Sequence, residues 1–264
     1  MSNKAKIRED AMSLNPMDDA LFQKMAENKD FCQEILQVIL NNKQLIVLNT
    51  NSQFATKNLQ GRSCMLDAKC QLEDGRIVNI EVQRADDDDH QRRVRYNGAL
   101  LTTNLTNPST KFAEIPDVIV VFISKFDVFK SSRPLYHIDR VIRETGKAVD
   151  NGFEEVYVNA EIDDDSDVAR LMNVFNTDTA YDDEKFPVTS AYKRRYKTTE
   201  EGVREMCEVI ERNRAEGRAE GLIEGRTELI TNMLKNKMKP EQIAKIANMT
   251  VEQIISIGKK AAVL

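Results

Sequence analysis

Two strand-length segments around an acidic turn constrain this chain more than any other feature: Met65–Leu72 (MLDAKCQL) and Arg76–Gln83 (RIVNIEVQ), joined by Glu73-Asp74-Gly75. Side chains two apart on a strand share a face. In the second segment Val78, Ile80 and Val82 form one apolar face, and Asn79, Glu81 and Gln83 form the other. In the first, Leu66, Ala68, Cys70 and Leu72 are apolar, leaving Asp67, Lys69 and Gln71 opposite. A two-residue Asp-Gly loop would set Asp67 against Val82 and mix the faces. A three-residue loop, with Gly75 in the left-handed conformation, pairs Leu72 with Arg76. Ala68 then lies opposite Ile80 and Asp67 opposite Glu81. Two like charges directly opposed are destabilising, so this register asks for a cation.

The remaining chain offers few rival chemistries. Cys32, Cys64, Cys70 and Cys207 show no C-x-x-C spacing, and Cys70 sits on a predicted core face, so they read as reduced thiols rather than a disulfide framework or zinc site. His90 and His137 have no partners at ligand spacing. No Ser or Cys nucleophile pattern and no Gly-rich phosphate loop stands out. The N-terminus lacks the apolar region of a signal peptide, and the longest strongly apolar run, Val118–Ile123, is too short to span a bilayer. The expectation is a cytoplasmic protein that does not enter membranes. Net charge is −5 overall, but residues 191–264 carry +4, which leaves −9 for residues 1–190. An acidic body has no general footprint for nucleic acid, so only local basic patches would provide one.

Periodicity suggests helices over Met17–Met25 and Phe31–Leu40, a short strand at Leu45–Leu48, and a polar loop to about Arg62. After Gln83, the acidic run Asp86–Asp89 reads as the solvated start of a helix reaching Leu105. Asp117–Ser124 (DVIVVFIS) reads as a central buried strand. Strands are expected at Leu135–Ile142 and Glu154–Asn159, and a helix at Asp167–Phe175. The polar stretch Thr177–Thr189 suggests a boundary, followed by helix from Ala191 that opens with the basic KRRYK. An E-G repeat of period four follows at Glu216-Gly217, Glu220-Gly221 and Glu224-Gly225. Each internal glycine costs roughly 1 kcal/mol relative to Ala, so the repeat either admits a close helix approach or marks an exposed tract. Pro240 reads as a first helical residue, and Thr250 with Gln253 as a capping box, giving a helix-turn-helix-like end.

Asp67 followed by Glu81-Val82-Gln83 is similar to the D…E-x-K signature of PD-(D/E)XK nucleases, with Gln83 in the place of the last Lys. More narrowly, the chain resembles the recombination-promoting nuclease (Rpn) family of PD-(D/E)XK-type transposases. The resemblance rests on D-x-x-F at Asp19–Phe22, D…DG…IE-x-Q from Asp67 to Gln83, R-x-x-x-Y at Arg92–Tyr96, and the E-G repeat followed by PEQIAKIANMTVEQI. It covers nearly the whole chain, and the central block is its specific part. Two departures stand out: Gln23 follows Phe22 where the family commonly has Lys, and Gln83 brings no positive charge, although E-x-Q is common in the resembling subfamily.

The resemblance implies an α/β, restriction-endonuclease-like mixed sheet flanked by helices over residues 1–190, with an all-helical extension over 191–264. It implies a metal-dependent DNA endonuclease that hydrolyses phosphodiester bonds in recombination or transposition. Asp67, Glu81 and the backbone carbonyl of Val82 would hold Mg²⁺ (Mn²⁺ as an alternative), and Asp19 would be a further ligand, direct or through water. Gln83 would orient the attacking water, and Lys69, on the same predicted face as Asp67, would supply the charge that Gln83 lacks. Arg92 and Tyr96 would contact a phosphate or brace the site. A homodimer or higher homo-oligomer would pair two sites on two DNA strands. Two other readings stay open: a non-catalytic nucleic-acid-binding or interaction protein on a degenerate nuclease scaffold, and an RNA-cutting enzyme. Taken alone, Asp67 and Glu81 are also what a solvent-facing hairpin carries.

Overall fold

The computed structural model describes residues 3–56, 58 and 63–261 of the 264. They fall into two compact units, divided between Cys207 and Glu208. In the first, the helices α1 (Asn3–Ser13), α2 (Asp19–Ala26) and α3 (Lys29–Ile39) precede the strands β1 (Val47–Thr56), β2 (Cys64–Leu72) and β3 (Ile77–Gln83). Helix α4 (His90–Asn104) crosses to β4 (Val118–Ser124). There follow β5 (Leu135–Ile138), β6 (Arg140–Ile142), β7 (Lys147–Val149), β8 (Phe153–Asn159), α5 (Asp167–Asn176), α6 (Pro187–Thr198) and the start of α7 (Glu200–Lys235).

The main sheet runs β1-β2-β3-β4-β8-β5. Its centre, β3-β4-β8, is parallel, and the outer pairs are antiparallel. This is the mixed sheet flanked by helices that the resemblance implies. All seven residues of β4 are buried, as its continuous apolar run requires of a strand covered on both faces. Val94 and Leu101 of α4 pack on Ile77, Val118, Val120, Phe122 and Tyr157. A second nucleus forms where the rings of Phe22, Phe31 and Phe175 join α2, α3 and α5, with centroids 5.9–6.5 Å apart.

The hairpin has the three-residue loop deduced from alternation. Leu72 N–H donates to Arg76 O at 2.9 Å, Ala68 pairs with Ile80, and Gly75 has φ +92. A residue with Cβ would be strained at that angle.

Several expectations fail for identifiable reasons. The strand expected at Leu45–Leu48 is β1, which continues to Thr56 through residues read as a polar loop. It is an edge strand whose polar side chains are satisfied by hydrogen bonds: Thr50 Oγ1 donates to Ala26 O (3.0 Å) and Thr56 Oγ1 to Cys64 O (2.9 Å). No apolar alternation therefore announces it. The rest of the expected loop, Lys57 and Leu59–Arg62, lies outside the described residues. The single strand expected at Leu135–Ile142 divides into β5, which pairs with β8, and β6, which turns back at Gly146 (φ +66) to pair with β7.

The basic KRRYK is not simply a surface patch. It lies within α6, where Lys193 and Lys197 are buried. Lys193 Nζ donates to the carbonyls of Val174 (2.9 Å), Thr177 (2.5 Å) and Ala180 (3.0 Å), closing the C-terminal end of α5. Lys197 Nζ holds Leu14 O and Asp178. A buried ammonium is tolerable only with its donors satisfied in this way.

The junction of α6 and α7 yields a stability prediction. Thr199 Oγ1 accepts from Gly202 N (3.0 Å), and a Cβ on Gly202 would run into the Arg195 carbonyl oxygen. Backbone, not a flexible side-chain tip, is in the way. Gly202→Ala is expected to lower unfolding free energy by about 2–3 kcal/mol, as a reduced urea midpoint. An unchanged midpoint would show that the two helices can separate freely.

The second unit comprises the rest of α7, α8 (Pro240–Ala247) and α9 (Val251–Lys260), packed around Ile230, Leu234, Ile243 and Ile254. Pro240 opens α8 as expected. The capping box is formed: Thr250 Oγ1 accepts from Gln253 N (3.2 Å), and Gln253 Oε1 accepts from Thr250 N (2.9 Å). Helix α7 runs unbroken through the E-G repeat. A Cβ at Gly217, Gly221 or Gly225 would meet nothing within 4 Å, so no close approach within the described chain uses them. No helix among the described residues is long and apolar enough to cross a membrane.

Candidate functional site

The carboxylates of the hairpin meet where its ladder ends. Rungs run from Gln71–Ile77 to Ala68–Ile80. The next hydrogen-bonded rung would pair Leu66 with Val82, but the N–H of Val82 donates instead to Asp67 Oδ2 at 2.9 Å. A strand residue sends its N–H and C=O to the same edge of the strand, so the Val82 carbonyl also points toward the Asp67 side. Asp67, Glu81 and Val82 O, three of the four groups named from sequence as metal-holding, thus lie where β2 and β3 part, with the Asp67 charge acting on Glu81.

Glu81 is only 1% exposed, and Asn79 beside it is fully buried. The face expected to be the polar side of the hairpin is therefore interior, because α4 crosses over β3 on its way to β4. Asn79 Nδ2 donates to Glu81 Oε1 at 2.8 Å. Glu81 Oε2 has no hydrogen-bond donor among the described residues and is 3.6 Å from an Arg93 guanidinium nitrogen. Burial, and then the charge of Asp67, push the Glu81 carboxyl up to about 8, against the pull of Asn79, Arg93 and Asn97. Burial likewise raises Asp67 to about 6, with Asp19 adding to the rise while the Val82 N–H and Arg93 oppose it. Two carboxyls that resist ionising together carry a deficit of positive charge.

Asp19, in the first turn of α2, is itself raised by burial and by Asp18, with Arg93 and Arg84 pulling down. It reaches this cluster electrostatically. No three His, Cys, Asp or Glu side chains among the described residues gather around a common point at ligand spacing. The protein's share of a metal shell would then be two carboxylates and the Val82 carbonyl. That suits Mg²⁺, which takes oxygen ligands and keeps several waters. The unsatisfied Glu81 oxygen and the all-oxygen donor set fit such an ion.

Gln83 is held from both sides. Its Oε1 accepts from Arg93 Nη1 at 2.7 Å, and its Nε2 donates to Ala85 O at 2.9 Å. Among the described residues Arg93 is the guanidinium that meets both Gln83 and Glu81, a contact that sequence reasoning did not single out. Arg92 is exposed and pairs with Asp89, the N-cap of its own helix, at 3.1 Å. The signal was present: Val94, Asn97 and Leu101 are the buried side of α4, and Arg93 borders that stripe whereas Arg92 lies farther round. Lys69, expected to supply the missing charge, places its ammonium 4.3 Å from the centroid of the Phe54 ring, and no carboxylate among the described residues lies within 4.0 Å of it. The Asp86–Asp89 run is more than a solvated helix start. Asp86 faces His90 Nε2 (3.1 Å), Asp87 receives Gln83 Nε2 (3.3 Å), and Asp89 caps α4. Tyr96, partly exposed, accepts from Asn58 Nδ2 at 3.1 Å and lines an open cleft with Arg92 and Arg93.

A family model described as PD-(D/E)XK nuclease family transposase matches residues 16–181, a span that contains Asp19, Asp67, Glu81, Gln83 and Arg93. No curated protein and no solved structure matches the chain significantly. With that match over more than half of its length, on a mixed sheet that brings its paired carboxylates to one opening, the chain belongs to the PD-(D/E)XK nuclease family transposases.

Proposed function

We propose that the protein is a metal-dependent DNA endonuclease that hydrolyses phosphodiester bonds, acting in the cytoplasm in DNA recombination or transposition. The observation that carries this reading is the pair Asp67 and Glu81, two carboxyls forced together beside an unsatisfied, buried Glu81 oxygen. Asp67, Glu81 and the Val82 carbonyl would hold Mg²⁺ or Mn²⁺, with Asp19 acting through water. Bound there, the ion would supply Lewis-acid stabilisation of phosphoryl charge and a more acidic water.

The chain's own residues divide the remaining work. The Val82 N–H fixes the Asp67 carboxylate, and Asn79 fixes one oxygen of Glu81. Gln83, pinned by Arg93, presents an amide that can orient water but carries no charge. Arg93 supplies that charge, the task assigned from sequence to Lys69. Its guanidinium stands next to the carboxylates, where a phosphate would need a counter-charge. Arg93→Ala is expected to lower the cleavage rate about 100-fold, with Arg93→Lys recovering part of it. Equal rates for wild type and Arg93→Ala would remove Arg93 from the reaction. A homodimer remains part of the proposal, since two sites are needed to cut two strands in one encounter.

The test is nicking of supercoiled plasmid with Mg²⁺, with Mn²⁺ and with EDTA. Cutting with either metal, abolished by EDTA, supports the reading. Folded protein that cuts with neither metal would favour the non-catalytic scaffold.

A further inference from the structure

Beside the carboxylates lies an open cleft of about 560 Å³. Arg92, Arg93, Arg95 and Tyr96 of α4 form one side, and Met65, two residues ahead of Asp67 on β2, is on the other. Arg93 is common to the cleft and the site, because its guanidinium also meets Gln83 and Glu81. We propose that this cleft seats an unpaired polynucleotide strand, so that the substrate is single-stranded or frayed nucleic acid rather than intact duplex. The proposal rests on the nuclease reading above and names the substrate of the same site.

Three features support it. The cleft has the size of a pocket for a compact ligand, about 300–1,000 Å³, which suits a nucleotide drawn out of a helix better than the broad face of a duplex. Its lining also combines groups that single strands use. Tyr96 has its hydroxyl engaged by Asn58, Met65 is 54% exposed, and Arg95 is exposed with no ion pair among the described residues. An aromatic ring beside guanidinium groups offers stacking to any base and charge to the strand's phosphates.

The third feature is electrostatic. Asp88 and Asp89 line the same cleft, and Arg92 is already paired with Asp89. Residues 1–190 carry a net −9. A duplex presents a phosphate charge about every 1.7 Å of axis, against about 3.4 Å for one strand. Two or three arginines among carboxylates can offset the sparser charge but not the denser.

The experiment is fluorescence anisotropy with wild-type protein in EDTA, where no metal is present to support cutting. The probes are a labelled oligodeoxyuridylate, the matching oligouridylate and a DNA duplex of equal length. At least one unpaired strand is expected to bind about 10-fold or more tightly than the duplex, and the tighter of the two identifies the sugar. Tyr96→Ala is expected to weaken that binding by about 5- to 150-fold, the range for losing a stacked base. Tyr96→Phe, which keeps the ring, should stay near wild type, and melting curves of both variants separate lost stacking from lost fold. Duplex binding as tight as the tighter of the two strands, or a folded Tyr96→Ala protein with unchanged affinity, overturns the proposal. The two readings fail separately. Plasmid nicking with duplex preferred in EDTA removes the unpaired-strand substrate and keeps the nuclease. Single-strand binding through Tyr96 without cutting under any metal does the reverse.

Discussion

Asp67→Ala is expected to reduce metal-dependent plasmid nicking by about 1,000-fold or more. On the proposed reading Asp67 would be a ligand of the ion that carries the phosphoryl charge, and its removal would also take away the electrostatic stabilisation the ion brings. Asp67 does two things, however: it accepts from Val82 N–H where the β2-β3 ladder stops, and it faces Glu81. Alanine removes both roles, so a loss of activity from alanine alone is ambiguous. Asp67→Asn separates them, since its amide oxygen can still accept from Val82 while the negative charge is gone. Both variants are expected to lose nicking to a similar extent, with Asp67→Asn the more stable. Nicking by Asp67→Asn within about 10-fold of wild type would mean that the carboxylate only caps the strand, and the metal-holding role would fall.

Glu81→Gln is expected to make the metal-free protein more stable at high pH while leaving it nearly unchanged in acid. The folded carboxyl titrates near 8 against an ordinary 4.5, because burial and the Asp67 charge disfavour its ionised form. A raised acid binds its proton more tightly in the native state than in the unfolded chain. Its contribution to stability is therefore fully present below about pH 4.5 and is lost as the pH rises toward 8. Glutamine stays neutral throughout and escapes that loss. The gap is on the order of 3–5 kcal/mol at pH 8.5, from about 1.4 kcal/mol for each tenfold difference in proton affinity between the folded and unfolded chain. Urea unfolding in EDTA at pH 5 and pH 8.5 measures it. Added Mg²⁺ at pH 8.5 should then raise the wild-type midpoint more than that of Glu81→Gln, because a ligand of the native state stabilises it by mass action. Equal stability of the two proteins at pH 8.5 would show that Glu81 is ionised at little cost, and with it the deficit of positive charge would disappear.

Where interactions are local, the sequence was legible. Gly75, the alternation on both sides of the turn, and the preference for apolar residues facing apolar residues selected the register found in the hairpin. Pro240 and the Thr250–Gln253 pair placed two helix starts, since a cap is satisfied by atoms within four residues. The continuation of edge strand β1 beyond Leu48 was illegible for the opposite reason. Its residues hide no apolar stripe, and its hydrogen bonds go to α2 and to β2. Likewise, nothing within KRRYK reveals that two of its lysines meet carbonyls around the end of α5 and the segment ahead of α2.

The candidate site divides along the same line. The sequence by itself determined that Asp67 and Glu81 approach each other across a hairpin, because strand periodicity and a three-residue turn permit no other pairing that keeps the faces separate. Only the tertiary structure decided that Glu81 is buried, that Lys69 goes to Phe54, and that Arg93 rather than Arg92 meets the carboxylates. Those outcomes depend on which side of α4 rests on the sheet as it crosses from β3 to β4. The orientation is set by apolar packing of Val94 and Leu101 against strands distant in sequence, so the arginine that meets Glu81 and Gln83 is selected by the burial of its neighbours.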